Sequence, residues 1–181
     1  MELREESGMA DERAIEELLA REAIRRQLSN YGRGMDRMDK DLVRGVWHAD
    51  GTLDYALPGI TTPEALIDHA WAFHHKCSVL LHRLIQITID VDVATGRAVS
   101  EAYCIASLFR ELEPDAKYRE HFFNARYLDK WSYRDGRWAV DHRQAIADLG
   151  GSRDIEARFL PRQGRLDTSD PSYALFASLD A

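Results

Sequence analysis

The chain is short of the features that mark several protein classes. Its 181 residues hold two cysteines, Cys77 and Cys104, and these are not spaced as a CxxC pair. Neither a disulfide framework nor a thiolate metal site is expected, and both thiols read as buried side chains. No apolar run approaches the roughly 20 residues of a membrane span, so a membrane protein is not expected. The N-terminal MELREESGMADERAIEE is acidic and lacks the apolar centre of a secretory signal, which points to a cytoplasmic protein. Positive charge is also short, with 24 Lys and Arg against 31 Asp and Glu. Phosphate binding draws on clustered cations in a basic domain, so a nucleic-acid partner is not expected. Arg21, Arg25 and Arg26 read instead as a solvated helix face, paired at i,i+4 with Glu17 and Glu22. Internal repeats and low-complexity tracts are missing as well. What is present, 45% hydrophobic and 30% charged residues, fits one globular domain over residues 1–181. Its partners are then small molecules or copies of itself.

Hydrophobic spacing gives the elements. From an N-cap at Asp11, Ile15, Leu18, Leu19, Ile24, Leu28, Tyr31 and Met35 recur at helical spacing and predict an amphipathic helix of about six turns, ending near Gly34. A short helix starts at Asp39 and runs through Leu42, Val43 and Val46 to Trp47, and HADGTLDYA reads as a turn and a strand. Thr62-Pro63-Glu64 opens a third helix through Leu66, Ile67, Ala70 and Trp71, reaching toward His74. From Leu81 the period becomes two. Leu81, Ile85, Ile87, Ile89, Val91 and Val93 share one face, and His82, Leu84, Gln86, Thr88 and Asp90 the other. Val99 to Phe109 makes a second strand, and Tyr127–Tyr133 pairs with Trp138–Ile146 across the Asp135-Gly136 hairpin signal. The sum is an α+β arrangement in which three N-terminal helices pack on a mixed, mostly antiparallel, strongly curved sheet. Residues 11–149 form its core, and 150–181 a tail without a core of its own, in which Phe159, Leu160, Tyr173, Leu175 and Phe176 are scattered among polar residues; it is expected to dock as a lid across the pocket mouth or onto a neighbouring subunit.

Several strings carry a resemblance: YGRGMDRMDKDLVRGVWHADGTLDY, LLHRLIQI, ARYLDKWSYRDGRWAVDHR and DPSY. From about Ala14 to Tyr173 the chain resembles the SnoaL-like group of the nuclear transport factor 2-like superfamily. The resemblance implies a cone-shaped α+β barrel, a fold that hosts lyases, isomerases, cyclases and non-catalytic modules. Dehydrating and dehydrochlorinating members share an Asp-His dyad, which falls on Asp36 and His82. A tyrosine five residues earlier and an arginine near the end of the last strand fall on Tyr31 and Arg143. Oligomers are common among such relatives, which makes a homo-oligomer expected, a trimer first and a dimer second.

A helical residue five positions after Tyr31 is turned about 140° from it, so Asp36 shares a cavity with Tyr31 only if the helix bends at Gly32 and Gly34. At a helix C-terminus a buried Asp36 needs a proton-sharing partner, and His82 is one. Asp36 would fix the tautomer of His82 and stabilise its cation after it takes a proton. Tyr31 and Arg143 would polarise an oxygen and stabilise developing negative charge. Trp47, Tyr55, Trp71, Phe73, Tyr103, Phe109 and Trp131 are core residues by default and the cavity walls if the ligand is bulky and apolar. His74 and His75 read as solvent-facing or capping residues, and His48 as the residue before a turn. His69 and His121 have no partner at metal-ligand spacing, so no metal is expected. The expectation is a lyase without cofactor or metal, a dehydratase first, on a hydrophobic cyclic substrate of the steroid, bile-acid or polyketide kind. An isomerase or cyclase in the same pocket and a non-catalytic binding or assembly module are the rivals. The odd-numbered aliphatic row from Ile85 to Val91 is expected to look outward and be covered by a second subunit.

Overall fold

The computed structural model describes residues 2–114, 116–156 and 164–179, with the backbone alone for residues 2–10. In chain order its elements are α1 (Glu2–Asp36), α2 (Lys40–Arg44), β1 (Trp47–Asp54), α3 (Pro63–His74), β2 (Val79–Asp92), β3 (Arg97–Glu113), β4 (Lys117–Arg134), β5 (Arg137–Glu156) and α4 (Pro171–Ala177). The strands form one sheet in the order β1-β5-β4-β3-β2. Only the β1–β5 pair is parallel. The mixed α+β arrangement is thus present, but the sheet is open, with β1 and β2 at its edges, rather than closed into a cone. No described helix is long and apolar enough to cross a membrane.

Helix α1 starts at Glu2, well before Asp11. Residues 2–10 are mostly good helix formers without proline, so nothing stops the helix at Asp11. Ala20, Ile24, Leu28, Tyr31 and Met35 form its buried stripe, whereas Ile15, Leu18 and Leu19 are 56%, 63% and 65% exposed. The first turns overhang the sheet. At the other end the helix runs straight through Gly32 and Gly34 to Asp36. It is closed by Met38 in the left-handed region (φ 48°), with the Asp39 N–H donating to the Gly34 carbonyl at 2.9 Å. The glycines serve close approach rather than a bend. A Cβ on Gly34 would lie 2.6 Å from Val43 Cγ2, and one on Gly32 would lie 3.3 Å from the His82 carbonyl oxygen. The Asp11 cap is not formed, but the other two cap readings are met: Asp39 Oδ1 accepts from Leu42 N–H, and Thr62 Oγ1 from Ala65 N–H.

The alternation expected along β2 breaks at Gln86, a bulge residue in the left-handed region (φ 48°) opposite the step from Tyr103 to Ala102. The bulge reverses the parity of everything after it. His82 and Leu84 therefore share the helix-facing side with Ile87, Ile89 and Val91, which pack into or against the core. The outward aliphatic row is not formed; of that row only Ile85 is exposed. The β4–β5 hairpin turns at Asp135 and Gly136, both with positive φ, as the sequence predicted. Both of its strands are longer than expected, and β5 passes through Gly150 and Gly151, paired with Phe123 and Phe122, to Glu156. The boundary placed at residue 150 falls inside a strand.

Helix α4 docks on the last turns of α1. The Arg33 guanidinium lies over the Tyr173 and Phe176 rings at 4.4 and 4.5 Å, and Tyr173 O–H donates to Asp39 Oδ2 at 2.6 Å. Arg37 and Asp170, the N-cap of α4, pair at 3.5 Å. Before α4, Leu166 packs against a small cluster of Cys77, Leu80 and Leu108. Phe159 and Leu160 lie outside the described residues.

Candidate functional site

Asp36, at the end of α1, meets His82 on the edge strand β2. Its Oδ1 accepts from both the His82 ring Nδ1–H at 2.7 Å and the His82 backbone N–H at 2.8 Å. An edge strand carries unpaired backbone donors, and here the carboxylate satisfies one while it orients the ring. A hydrogen on Nδ1 facing a carboxylate leaves Nε2 with the lone pair, the form a general base requires. Burial pushes the Asp36 carboxyl above the usual carboxylate range, and its hydrogen bonds to His82 oppose that rise. The helix C-terminus disfavours its charge too.

Tyr31 turns the other way, toward β4 and β5, so no bend brings it to Asp36. Its hydroxyl shares a hydrogen bond with Tyr55 at 3.2 Å, and its ring meets Trp47 and Tyr127 edge-on. The Arg143 guanidinium lies over the Tyr31, Tyr127 and Trp47 rings at 4.5, 4.4 and 5.0 Å. Arg143 is fully buried and forks onto Asp129, with Nε to Oδ1 at 2.7 Å and Nη2 to Oδ2 at 2.8 Å. Burial works against its charge, and the Asp129 carboxylate keeps it protonated. Its Nη1 is buried with no partner among the described residues. Burial raises the Tyr31 phenol, and Arg143 partly offsets this. Between the two groups lies Cys104, a buried thiol pushed up by desolvation and acted on by Tyr127, Arg143 and Asp36. The inner face of the sheet thus carries His82 of the dyad on β2, Cys104 on β3, Tyr127 and Asp129 on β4, and Arg143 on β5, with Asp36 supplied by α1.

The aromatic wall candidates divide. Trp47, Trp71 and Trp131 are buried on the helix-facing side, the last donating its Nε1–H to Ser100 Oγ at 2.9 Å. Tyr55 joins Tyr31, and Phe73 meets His121 edge-on at 5.0 Å. Tyr103 and Phe109 occupy odd positions of β3, whose even positions from Ala98 to Leu108 are all buried, so they face away from the helices. They do not face the dyad. A groove of about 690 Å³ beside β1, lined by Arg44, Trp47, His48, Glu64 and Arg137 among others, lies apart from the dyad.

The sequence reading missed three residues. His74 is not solvent-facing: it is buried, stacked on Trp71, with its ring centroid 5.8 Å from that of His82. Helical spacing from Ile67, Ala70 and Trp71 was the available signal, since position 74 continues that stripe. Asp129 and Tyr127 had one as well, sitting on the buried parity of β4 with Trp131.

A sequence profile of the SnoaL-like domain matches residues 16–144. No curated protein matches the sequence. Among solved structures, a type 2 hexachlorocyclohexane dehydrochlorinase is similar at a TM-score of 0.65 and 17% identity, over 82% of this chain and 97% of its own. A type 3 dehydrochlorinase from Novosphingobium barchaimii LL02 is similar at 0.65 and 16%, over 82% and 99%. A protein of Novosphingobium aromaticivorans proposed to be a scytalone dehydratase is similar at 0.62 and 18%, over 80% and 95%.

Proposed function

The chain belongs to the SnoaL-like domain family, with its nuclear transport factor 2-like fold, and from that premise we propose that it is a cofactor-independent lyase, a dehydratase of hydrophobic cyclic substrates. The observation that carries this reading is the 2.7 Å contact between His82 Nδ1 and Asp36 Oδ1, which leaves Nε2 of a strand-anchored imidazole as a base. Buried charge alone does not separate an enzyme from an assembly module, because Arg143 already has a structural partner in Asp129. A histidine oriented through both its ring and its backbone N–H, with Nε2 left as the acceptor, supports the enzyme reading.

In this mechanism His82 Nε2 removes a proton from a carbon next to a carbonyl. The C–H electron pair becomes the new C=C bond, the C–O bond on the adjacent carbon breaks, and the leaving hydroxide takes the proton from the His82 imidazolium to depart as water, which restores the base. Asp36 stabilises the imidazolium that forms. The hydrogen-bonded Tyr31 and Tyr55 hydroxyls and the unpartnered Arg143 Nη1 are the donors that would face developing charge on oxygen.

The test is a panel of cyclic β-hydroxy ketones incubated in deuterated buffer and followed by mass spectrometry. Loss of water with the wild-type chain is the expected result. Deuterium uptake or a shifted double bond without water loss would mark an isomerase instead. His82→Ala is expected to remove nearly all turnover, and Asp36→Asn to lower it about 10²- to 10⁴-fold with the fold intact. Turnover unchanged in both variants would overturn the assignment of the dyad.

A further inference from the structure

Beside the dyad stands a second histidine that the elimination does not use. His74 is the last residue of α3 and is 3% exposed. Its ring stacks on Trp71 at 5.7 Å and 29°, and its centroid is 5.8 Å from that of His82. Its Nδ1 is buried and has no hydrogen-bond partner among the described residues. Burial, with His82 and His75 beside it, pushes this imidazole down to about 3, so it is neutral wherever the protein works. Beyond those two histidines, the charged groups nearby are Asp36, bonded to His82, and Lys40, whose Nζ is 6.0 Å from the Trp71 ring centroid.

A buried nitrogen without a partner is costly, and a leucine or phenylalanine would fill the same space without that cost. The described residues include no group of three or more metal-ligating side chains, so a cation is not what this nitrogen awaits. What remains is a group that arrives with the ligand. His74 and His82 stand close enough for their rings to face neighbouring atoms of one small molecule.

We propose that His74 is a specificity residue of this site, a neutral imidazole that hydrogen-bonds an oxygen of the bound substrate beside the carbon that His82 deprotonates. The proposal rests on the dehydratase reading for the role of His82, but not for its own binding contact. It narrows the substrate class to cyclic compounds with a hydroxyl or carbonyl oxygen next to the acidic C–H. A ring bearing only carbon or halogen there would leave Nδ1 unpaired, and a site built around a polar contact rejects a ligand that lacks it.

The experiment compares two rings of the same size, 2-naphthol and naphthalene, as binding probes for the full chain, with the histidine nitrogens followed by NMR. Wild type should bind 2-naphthol at least about tenfold more tightly, and the His74 Nδ1 resonance should move with that probe alone. His74→Leu should erase the preference, and His74→Gln, which keeps a hydrogen-bonding group and guards against a folding defect in the first variant, should restore part of it. An unchanged preference in His74→Leu, or a Nδ1 resonance indifferent to 2-naphthol, would overturn the proposal. If His82→Ala keeps full turnover while the binding preference tracks residue 74, the base assignment falls and the His74 contact stands. With substrate, His74→Leu should raise KM while kcat falls only a few-fold, the split expected of a residue that holds rather than reacts.

Discussion

Arg143 and Asp129 are the residues on which folding and chemistry compete most directly. Two buried charges satisfy each other through a bidentate fork, so removing one strands the other. Asp129→Leu alone should cost about 3–5 kcal/mol, while the double change with Arg143→Met should recover most of that loss, as urea denaturation can show. Full destabilisation in the double variant as well would mean that the pair does more than balance its own burial. His74 makes a pH-dependent contribution whose sign follows from its lowered pKa of about 3 against the ordinary 6.5. Between those values the unfolded chain binds the extra proton, so stability is intact above pH 6.5 and is lost as the pH falls toward 3. The loss from this one group should reach roughly 1–2 kcal/mol by pH 5. Asp36, with its pKa raised by burial, acts in the opposite direction, gaining a proton more readily folded than unfolded. Thermal melts between pH 7 and 5 should therefore show a steeper decline in wild type than in His74→Leu.

At the scale of elements, the last turns of α1 are clamped from three sides, by α2, β2 and α4. Gly34→Ala sets a helix-propensity gain of about 1 kcal/mol against a contact of 2.6 Å with Val43 Cγ2. The contact should win, because both partners are in packed backbone positions; a net loss of about 1–3 kcal/mol is expected in denaturant melts. The α4 contacts grip Arg33, Arg37 and Asp39, the residues that bracket Asp36. Arg33→Ala or Tyr173→Ala should loosen the end of α1 and speed amide exchange at His82, whose N–H is held by Asp36. Unaltered exchange there would show that the dyad is independent of α4. Much of this architecture was legible where the cause is local. The Asp39 and Thr62 caps, the Pro63 helix start and the Asp135-Gly136 hairpin all depend on a few adjacent residues. Tyr31, Asp36, His82 and Arg143 were legible through a resemblance spread along the chain. Gln86 was not, because a polar residue in a strand carries no sign that its backbone is left-handed. The pairing of Asp129 was not, because the parity of β4 marks the position as inward but its partner lies 14 residues away.

At the scale of the whole molecule, the helices cover one side of the sheet and leave the other apolar in places. Ile85, Tyr103 and Ile105 are exposed on that side of β2 and β3, together with Leu149 of β5, paired beside Asn124 and in line with Ile105. This replaces the outward row that the alternating pattern of β2 predicted, and it keeps the expectation of a homo-oligomer, a trimer first and a dimer second. Ile105→Asp together with Leu149→Lys should return the mass seen by light scattering to that of a 20.7 kDa chain. A wild-type chain that is already monomeric would remove the expectation altogether. The left-handed Gln86 is an extra residue that shifts the phase of the inward stripe of β2, so this one position should tolerate a change of length that its neighbours would not. Deleting Gln86 would remove the bulge and leave Leu84, Ile87, Ile89 and Val91 on one face in unbroken alternation, opposite Cys104, Ala102, Ser100 and Ala98, whereas deleting Thr88 would turn Ile89 and Val91 to water and Asp90 and Asp92 into the core. A chain lacking Gln86 should still fold, as should Gln86→Gly, which suits the backbone, while a chain lacking Thr88 should fail to accumulate as folded protein; a Gln86 deletion that is not recovered folded would show that the bulge itself is required.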